Sequence, residues 1–222
     1  NIYGTTSKRW PFGTGLKYND GRMFRFIKAG GTLLVRATLQ QAAAPLANHL
    51  NVVQTAGEAA PLNQRFINID IVTAEDITAD LYKEGFINIS DGTGEGFIYK
   101  IASHATNTAE DTTLTRFDFT AGDYIQVATG VATDVSLLKN PFHSTVIFPT
   151  TTTSVPVGVA VRPVVANGHG WIQTRGPASV LTDGTLVVGL GVQPSNGTAG
   201  SVEAWGLTEA APPTQINKEV GT

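Results

Sequence analysis

The sequence predicts a mainly β protein: a β-sandwich, jelly-roll-like or barrel-like domain with a second small β module and extended terminal arms. Three observations lead to this prediction. The 222 residues include 24 glycines and 11 prolines, and Thr and Val are frequent, a composition that favours strands and turns. Short stretches alternate apolar and polar residues, and turn residues separate about twelve of them. Closely spaced short strands are typical of sandwiches and barrels.

The first predicted strands form a hairpin. Residues 23–28 alternate, a Gly-Gly pair follows, and an apolar run resumes at 32–39, which together indicate two strands around a tight turn. Residues 40–50 are rich in Ala and favour a short helical turn. Pro45 lies inside this segment and limits the length of any helix.

Strict alternation marks the middle of the chain. The motif Phe-Ile-Asn-Ile occurs twice, and its period of two predicts strands with one buried face. A Gly-rich turn at 91–96 joins two of the strands as a hairpin. The segments predicted as strands here are 66–72, 86–89, 97–101, 114–119 and 124–127.

Further strands are predicted in the last third of the chain. Pro156 interrupts one of them, so we expect that strand at a sheet edge or with a bulge. The turn Asn167-Gly168 indicates a hairpin. The segments predicted as strands are 145–148, 155–161, 171–176, 178–181, 185–189 and 202–205.

Punctuation along the chain indicates four parts. Residues 1–22 show no helix or strand period, and the character of the sequence changes near Asn140-Pro141. The predicted organisation is an N-terminal arm at 1–22, a β domain at 23–140, a second small β module at 141–208 and a C-terminal tail at 209–222.

Composition excludes several functional classes. The chain has no cysteine, which excludes disulfides, Cys-ligated zinc, iron–sulfur clusters and thiol catalysis. Only 15% of the residues are charged and the formal net charge is −3, so the sequence predicts no nucleic-acid partner, which would require a basic patch. No apolar run reaches the roughly 18 residues of a membrane span, and no membrane partner is expected.

Motifs for cofactors and metals are missing. The Gly-rich turn at 91–96 lacks the Lys-Ser/Thr pair of a phosphate-binding loop and the acid order of an EF-hand, and is best interpreted as a plain turn. The histidines occur singly, without metal-ligand spacing. They are His49, His104, His143 and His169. We therefore expect no cofactor and no metal site.

Catalytic patterns are equally weak. The chain has no Gly-x-Ser-x-Gly motif for a serine nucleophile. Asp118 with Asp123, or Glu75 with Asp76, could form a glycosidase pair, but nothing in the sequence favours them over solvated acids. The sequence thus predicts a protein that is not an enzyme.

Large aromatic residues stand at positions suited to interfaces. The arm carries Lys8, Arg9, Trp10 and Phe12, and aromatic residues beside Arg are typical anchors of protein contacts. The alternative is a frayed terminus.

Two other tryptophans need an interpretation. Trp171 opens a strand after a turn and is expected in the core or a subunit interface, with sugar stacking as the alternative. Trp205 is expected in the core. We take Trp171 and Arg175 as candidate self-association residues.

A set of short motifs spans most of residues 24–190. They are FIKAGG (26–31), DGTGEGFIYKI (91–101), KNPF (139–142), PVGVA (156–160), GWIQTRGPA (170–178) and DGTLVVG (183–189). In this order they resemble the head decoration (cement) proteins of tailed bacteriophages. The chain departs from that family at 209–222, where a further strand would be expected.

This resemblance implies a virion structural protein on the outer surface of the capsid. It implies a homotrimer at threefold or quasi-threefold axes that binds the major capsid protein, and no active site. We then expect Lys8, Arg9, Trp10 and Phe12 to be the capsid contacts. Two alternatives stay open: another phage virion component from the tail, neck or fibre, and a carbohydrate-binding β-sandwich that uses Trp171 or an acid pair.

Overall fold

The structure, a computed structural model, describes residues 5–71, 77–108 and 114–206. Within these ranges the chain forms two six-stranded antiparallel sheets and a separate two-stranded sheet, and one large sheet curves into a half-barrel. The same ranges contain no helix long and apolar enough to cross a membrane. The prediction of a mainly β fold is confirmed.

Fourteen strands build these sheets in the described ranges. In chain order they are β1 (Gly15–Lys17), β2 (Met23–Lys28), β3 (Leu39–Gln41), β4 (Val52–Val53), β5 (Phe66–Ile69), β6 (Phe86–Asp91), β7 (Ile98–His104), β8 (Thr115–Phe119), β9 (Asp134–Leu138), β10 (Val146–Ile147), β11 (Pro156–Ala160), β12 (His169–Arg175), β13 (Val192–Pro194) and β14 (Val202–Ala204). Most are short, as the closely spaced turns predict.

The first sheet joins strands from the first 41 residues to strands from residues 146–175. Its strand order is β1-β2-β12-β11-β3-β10, so early and late strands interleave. The chain leaves this sheet after Gln41 and returns at Val146, and these two residues are paired neighbours in the sheet. Its interior packs Ile27 and Leu34 against Ile172, because alternate residues of each strand point to the same face.

The second sheet comes from one continuous part of the chain. Its order is β4-β9-β6-β7-β8-β5, within residues 52–138. The two Phe-Ile-Asn-Ile motifs form β5 and the start of β6, and their isoleucines are buried as the period of two predicts. These isoleucines pack with Tyr82, Tyr99 and Phe117 in the largest core cluster.

Strand pairing crosses the boundary predicted near residue 140. Strands β2 and β3 precede that boundary and β12 and β11 follow it, yet all four are neighbours in the first sheet. The sheets therefore divide the chain into 15–41 with 146–175 on one side and 52–138 on the other. The predicted parts 23–140 and 141–208 do not coincide with the two large sheets, because strands from both parts pair in the first sheet.

Two local predictions near the start of the chain are wrong. The hairpin of 23–28 with 32–39 does not form, because β2 pairs with β1 and β12 instead. The helical turn predicted at 40–50 is absent, since Gln40 and Gln41 are buried strand residues of β3. In both places long-range pairing overrides a local preference.

Strand β11 confirms the predicted bulge but not the predicted edge position. It lies between β12 and β3, and its register shifts between Pro156 and Gly158. Gly158 has φ +147°, and a Cβ added there would lie 2.5 Å from the Gln173 carbonyl oxygen. Glycine is required at this bulge because the neighbouring backbone approaches too closely for any side chain.

Some predicted strands are loops, and four strands, β1, β4, β9 and β13, were not predicted. Residues 124–127, 178–181 and 185–189 do not form strands. Ile125 is nevertheless fully buried, so an alternating pattern can report burial without sheet pairing. Strand β9 was not predicted, although it pairs with both β4 and β6.

Candidate functional site

The N-terminal arm folds back onto the body of the protein. Thr5 and His169 exchange two backbone hydrogen bonds of 2.7 Å. Further along, the Glu84 carboxylate accepts the backbone N–H of Phe12 at 2.6 Å and pairs with Lys8 Nζ at 2.5 Å. The arm is thus tied both to the first sheet and to the turn before β6.

Rings of the arm pack against rings of the first sheet in an aromatic cluster. Its members are Trp10, Phe12, Phe26, His169 and Trp171. The Trp10 ring centroid lies 5.3 Å from that of Phe26 and 5.5 Å from that of Trp171, and Phe12 lies parallel to His169 at 6.0 Å. Ring quadrupoles favour tilted and offset arrangements of this kind. Trp171 is 5% exposed beneath the arm, whereas Trp10 remains 40% exposed.

Three of the four predicted capsid-contact residues have partners within the chain. Lys8 pairs with Glu84, and its Nζ lies 4.1 Å from the centroid of the Phe12 ring. Trp10 and Phe12 belong to the aromatic cluster. Arg9 is exposed. The arm therefore presents Arg9 and the outer part of Trp10 to solvent.

The two candidate self-association residues lie on β12 in different surroundings. Trp171 is buried in the single chain, so its ring is not accessible to a second copy or to a sugar while the arm is docked. Arg175 is exposed and is paired with Met23 at the other end of β2. The expectation of a buried Trp205 is wrong: this side chain is 73% exposed, because the small sheet presents it to solvent.

A cleft of about 500 Å³ lies beside the arm. Its walls include Lys8 from the arm, Lys28 from β2 and Lys83 from the loop before β6. Lys83 Nζ pairs with Asp80 at 2.8 Å. Among the residues that the structure describes, no carboxylate forms an ion pair with Lys28. The cleft is therefore lined by more positive than negative groups.

Two histidines at this cleft are neutral at pH 7. Burial lowers the pKa of His143 to about 4, and the charges of Lys28, Lys139 and Lys8 act in the same direction. Burial also lowers the pKa of His169, again with Lys28 and Lys8 contributing. The charges of Lys28 and Lys8 therefore favour the neutral form of both imidazoles.

Asp118 and Asp123, one of the two acid pairs considered for glycosidase chemistry, have separate partners. Asp118 pairs with Arg116 at 2.7 Å, and Asp123 accepts a backbone N–H of β7 at 2.9 Å. The other pair, Glu75 and Asp76, lies outside the described residues. Within the described part of the chain, no group of three histidine or acidic side chains is placed to hold a metal ion.

Large apolar side chains are exposed on the segment that leads into β13 and at the residue after β14, and we call them the C-terminal apolar patch. Its members are Val187, Val188, Leu190, Val192 and Trp205. Val188 is fully exposed. The backbone N–H of Trp205 donates to the Gly191 carbonyl at 3.0 Å, and a Cβ added at Gly191 would lie 3.6 Å from the Trp205 Cβ. Trp205 therefore lies beside the segment that carries the other four side chains.

Sequence reasoning missed Lys28, Lys83 and Glu84. Glu84 and Phe12 are 72 residues apart, so no local spacing connects them. Lys28 ends a strand, and Lys83 and Glu84 lie in a turn before Gly85. Charged residues at such positions are usually solvated, and no sequence signal separates these three from the others.

Comparison of the chain with protein-family models, with curated proteins and with solved structures finds no match. The function is therefore argued from the arm, the cleft and the C-terminal apolar patch.

Proposed function

We propose that this chain is a structural virion protein that decorates the outer surface of a capsid. In this proposal it forms a homotrimer, binds the major capsid protein and catalyses no reaction. A protein that binds the assembled shell more tightly than the free subunits stabilises the shell by mass action. The resemblance of its motifs to phage decoration proteins supports the capsid role, and the exposed surface of the structure supports self-association.

The observation that carries the proposal is the C-terminal apolar patch. Single exposed apolar side chains are ordinary, but several together on one surface are typical of protein contacts. Residues 185–192 contain no charged side chain, so a partner need not supply opposite charges there. Three identical copies around an axis would cover the patch with one repeated kind of contact.

For the capsid-facing contact we propose Arg9 together with the exposed part of Trp10. Arg and Trp are enriched among the residues that dominate binding energies. Lys8 and Phe12 then hold the arm in place through their contacts with Glu84 and the aromatic cluster. A surface that is already ordered before binding loses less conformational entropy when it binds.

The self-association surface is tested by Val188→Asp. An aspartate at the centre of a buried apolar contact would be desolvated without a partner, so we expect the wild type to sediment as a trimer at micromolar concentration and the variant as a monomer. Val131→Asp is the matched control, since Val131 is also exposed, at 67%, and lies outside the patch. A monomeric wild type would overturn the trimer.

The capsid contact is tested by Arg9→Glu in co-sedimentation with shells of the major capsid protein. We expect the affinity to fall about tenfold or more, with unchanged thermal stability because Arg9 is exposed. Arg36→Glu reverses another exposed arginine and should bind normally. Deletion of residues 1–22 is less informative, because it removes β1 and uncovers Trp171. If Arg9→Glu binds the shells as tightly as the wild type does, Arg9 is not a capsid contact. If the wild type does not bind the shells, the proposed capsid role is wrong.

A further inference from the structure

The cleft beside the arm has the size and composition of a binding site for a small anion. Its volume of about 500 Å³ falls in the range of small-molecule sites, roughly 300–1,000 Å³. Four separate parts of the chain form its walls: the arm, the end of β2 with the start of β12, the loop before β6, and residues 143–144 before β10. Each part contributes a cation or an imidazole.

The lysines of the cleft differ in how they are held. Lys8 and Lys83 are each oriented by one carboxylate, at 2.5 Å and 2.8 Å, and an ammonium group has three protons to donate. Lys28 has no ion pair among the described residues. Two preoriented donors and one uncompensated charge therefore face the same space.

A buried imidazole nitrogen supplies a second, independent indication. His169 is 7% exposed and lines the cleft. Its Nδ1 atom has no partner within hydrogen-bond distance and geometry among the described residues, and the nearby backbone of Thr5 and Thr6 raises the pKa of the ring by less than burial lowers it. Buried polar atoms nearly always have a partner, because an unpaired buried group has lost its hydrogen bonds to water without replacement. The His169 ring lies parallel to Phe12 at 6.0 Å and nearly parallel to Phe26 at 5.8 Å, and Phe12 and Phe26 are 6.4 Å apart. The three rings thus form a compact group, and packing against two of its members restricts the orientation of the imidazole.

We propose that this cleft binds a small oxyanion, a phosphate or a carboxylate, through Lys28 and His169 with the remaining protons of Lys8 and Lys83. Asp80 and Glu84 orient the lysines and do not contact the ligand. Charge-assisted hydrogen bonds from ammonium groups to oxyanions are stronger than hydrogen bonds between neutral groups. The neutral imidazole of His169 can donate one more hydrogen bond when its proton is on Nδ1. This inference is independent of the proposed capsid role.

The test is calorimetric titration of the full chain with inorganic phosphate and, separately, with acetate, at pH 7 and constant ionic strength. We expect saturable binding of at least one of them by the wild type. In Lys28→Met the affinity should fall about tenfold or more. His169→Phe keeps an aromatic ring in the aromatic cluster but removes the Nδ1 atom, and this variant should also bind the anion more weakly. The anion that binds more tightly identifies the ligand class.

The matched control is Lys17→Met, because Lys17 pairs with Met23 at the opposite end of β2 from Lys28. This variant should bind the anion like the wild type. The thermal stability of Lys28→Met without ligand shows that the variant is folded. Equal loss in both lysine variants, no binding at millimolar anion, or the same heat from chloride would each overturn the site, since they would leave only general screening of positive charge.

Discussion

Replacing Trp171 by Ala is expected to destabilise the protein by about 3–5 kcal/mol, the usual cost of removing a buried tryptophan. Its ring is 5% exposed and lies 5.3 Å from Phe26 and 5.5 Å from Trp10. The substitution leaves a cavity beneath the arm and removes one of the two rings on which Trp10 packs. We therefore expect the arm to become sensitive to proteolysis as well.

Urea unfolding measures this effect, and Trp205→Ala is a matched control with the same change of side chain. Trp205 is 73% exposed, so its loss should change the free energy of unfolding by no more than about 0.5 kcal/mol. Both variants must be compared at concentrations below self-association, because Trp205 belongs to the C-terminal apolar patch. A Trp171→Ala protein as stable as the wild type would show that the aromatic cluster does not hold the arm.

Acidification from pH 7 to pH 4 is expected to remove about 3 kcal/mol of stability through His143 alone, since its pKa falls from 6.5 to about 4 and one pKa unit is worth about 1.4 kcal/mol. The folded state holds this imidazole neutral. Between pH 6.5 and pH 4 this histidine binds a proton in the unfolded state but not in the folded state. The free energy of unfolding therefore decreases as the pH falls. Below pH 4 both states are protonated and this loss stops.

Other histidines act in the same direction. Burial lowers the pKa of His104 and of His169, so both add to the loss below pH 6.5. Carboxylates act in a lower range. Hydrogen bonds from Arg22 hold the pKa of Asp20 below 3.8, so its contribution is present above pH 3.8 and lost only below it.

Thermal melts between pH 7 and pH 4 measure this dependence, and His143→Gln separates the contribution of His143. Glutamine does not titrate, so the variant should lose less stability over the same pH interval. Its stability at pH 7 is compared separately, because the imidazole also hydrogen bonds with Ser144 Oγ at 3.0 Å. An identical pH dependence in variant and wild type would contradict the assignment to His143.

Local pattern predicted those strands whose burial is one-sided. Ile67 and Ile69 alternate with half-buried residues in β5, and the period of two shows this directly in the sequence. Partners could not be predicted in the same way. β2 pairs with β12, almost 150 residues later, and alternation on each strand does not specify which of many similar strands it will join.

Residue chemistry located the arm site but not its partner. The rings and the cation at Lys8, Trp10 and Phe12 predicted a contact with a capsid, which stays a prediction. In the structure these three side chains contact Glu84 and the chain's own first sheet. The same side chains stabilise contacts within and between molecules, so the sequence alone could not separate the two. Trp171 and Trp205 show this most clearly. Trp171 follows a predicted turn and Trp205 ends a predicted strand, and only Trp171 is buried.

The return of the chain to its point of departure has a consequence for folding during synthesis. All strands of the second sheet have been synthesised once residue 138 is added, whereas the first sheet must wait for β12. Chains fold from the N-terminus as they emerge, so the second sheet can assemble while β2 and its phenylalanines are still unpaired. Once assembled, the second sheet pairs Val52 with Val135, close in sequence to Gln41 and Val146, and so shortens the loop that the first sheet has to close. The folded second sheet thus does for β3 and β10 what a tight turn does in a hairpin: it brings together two strands that pair with each other.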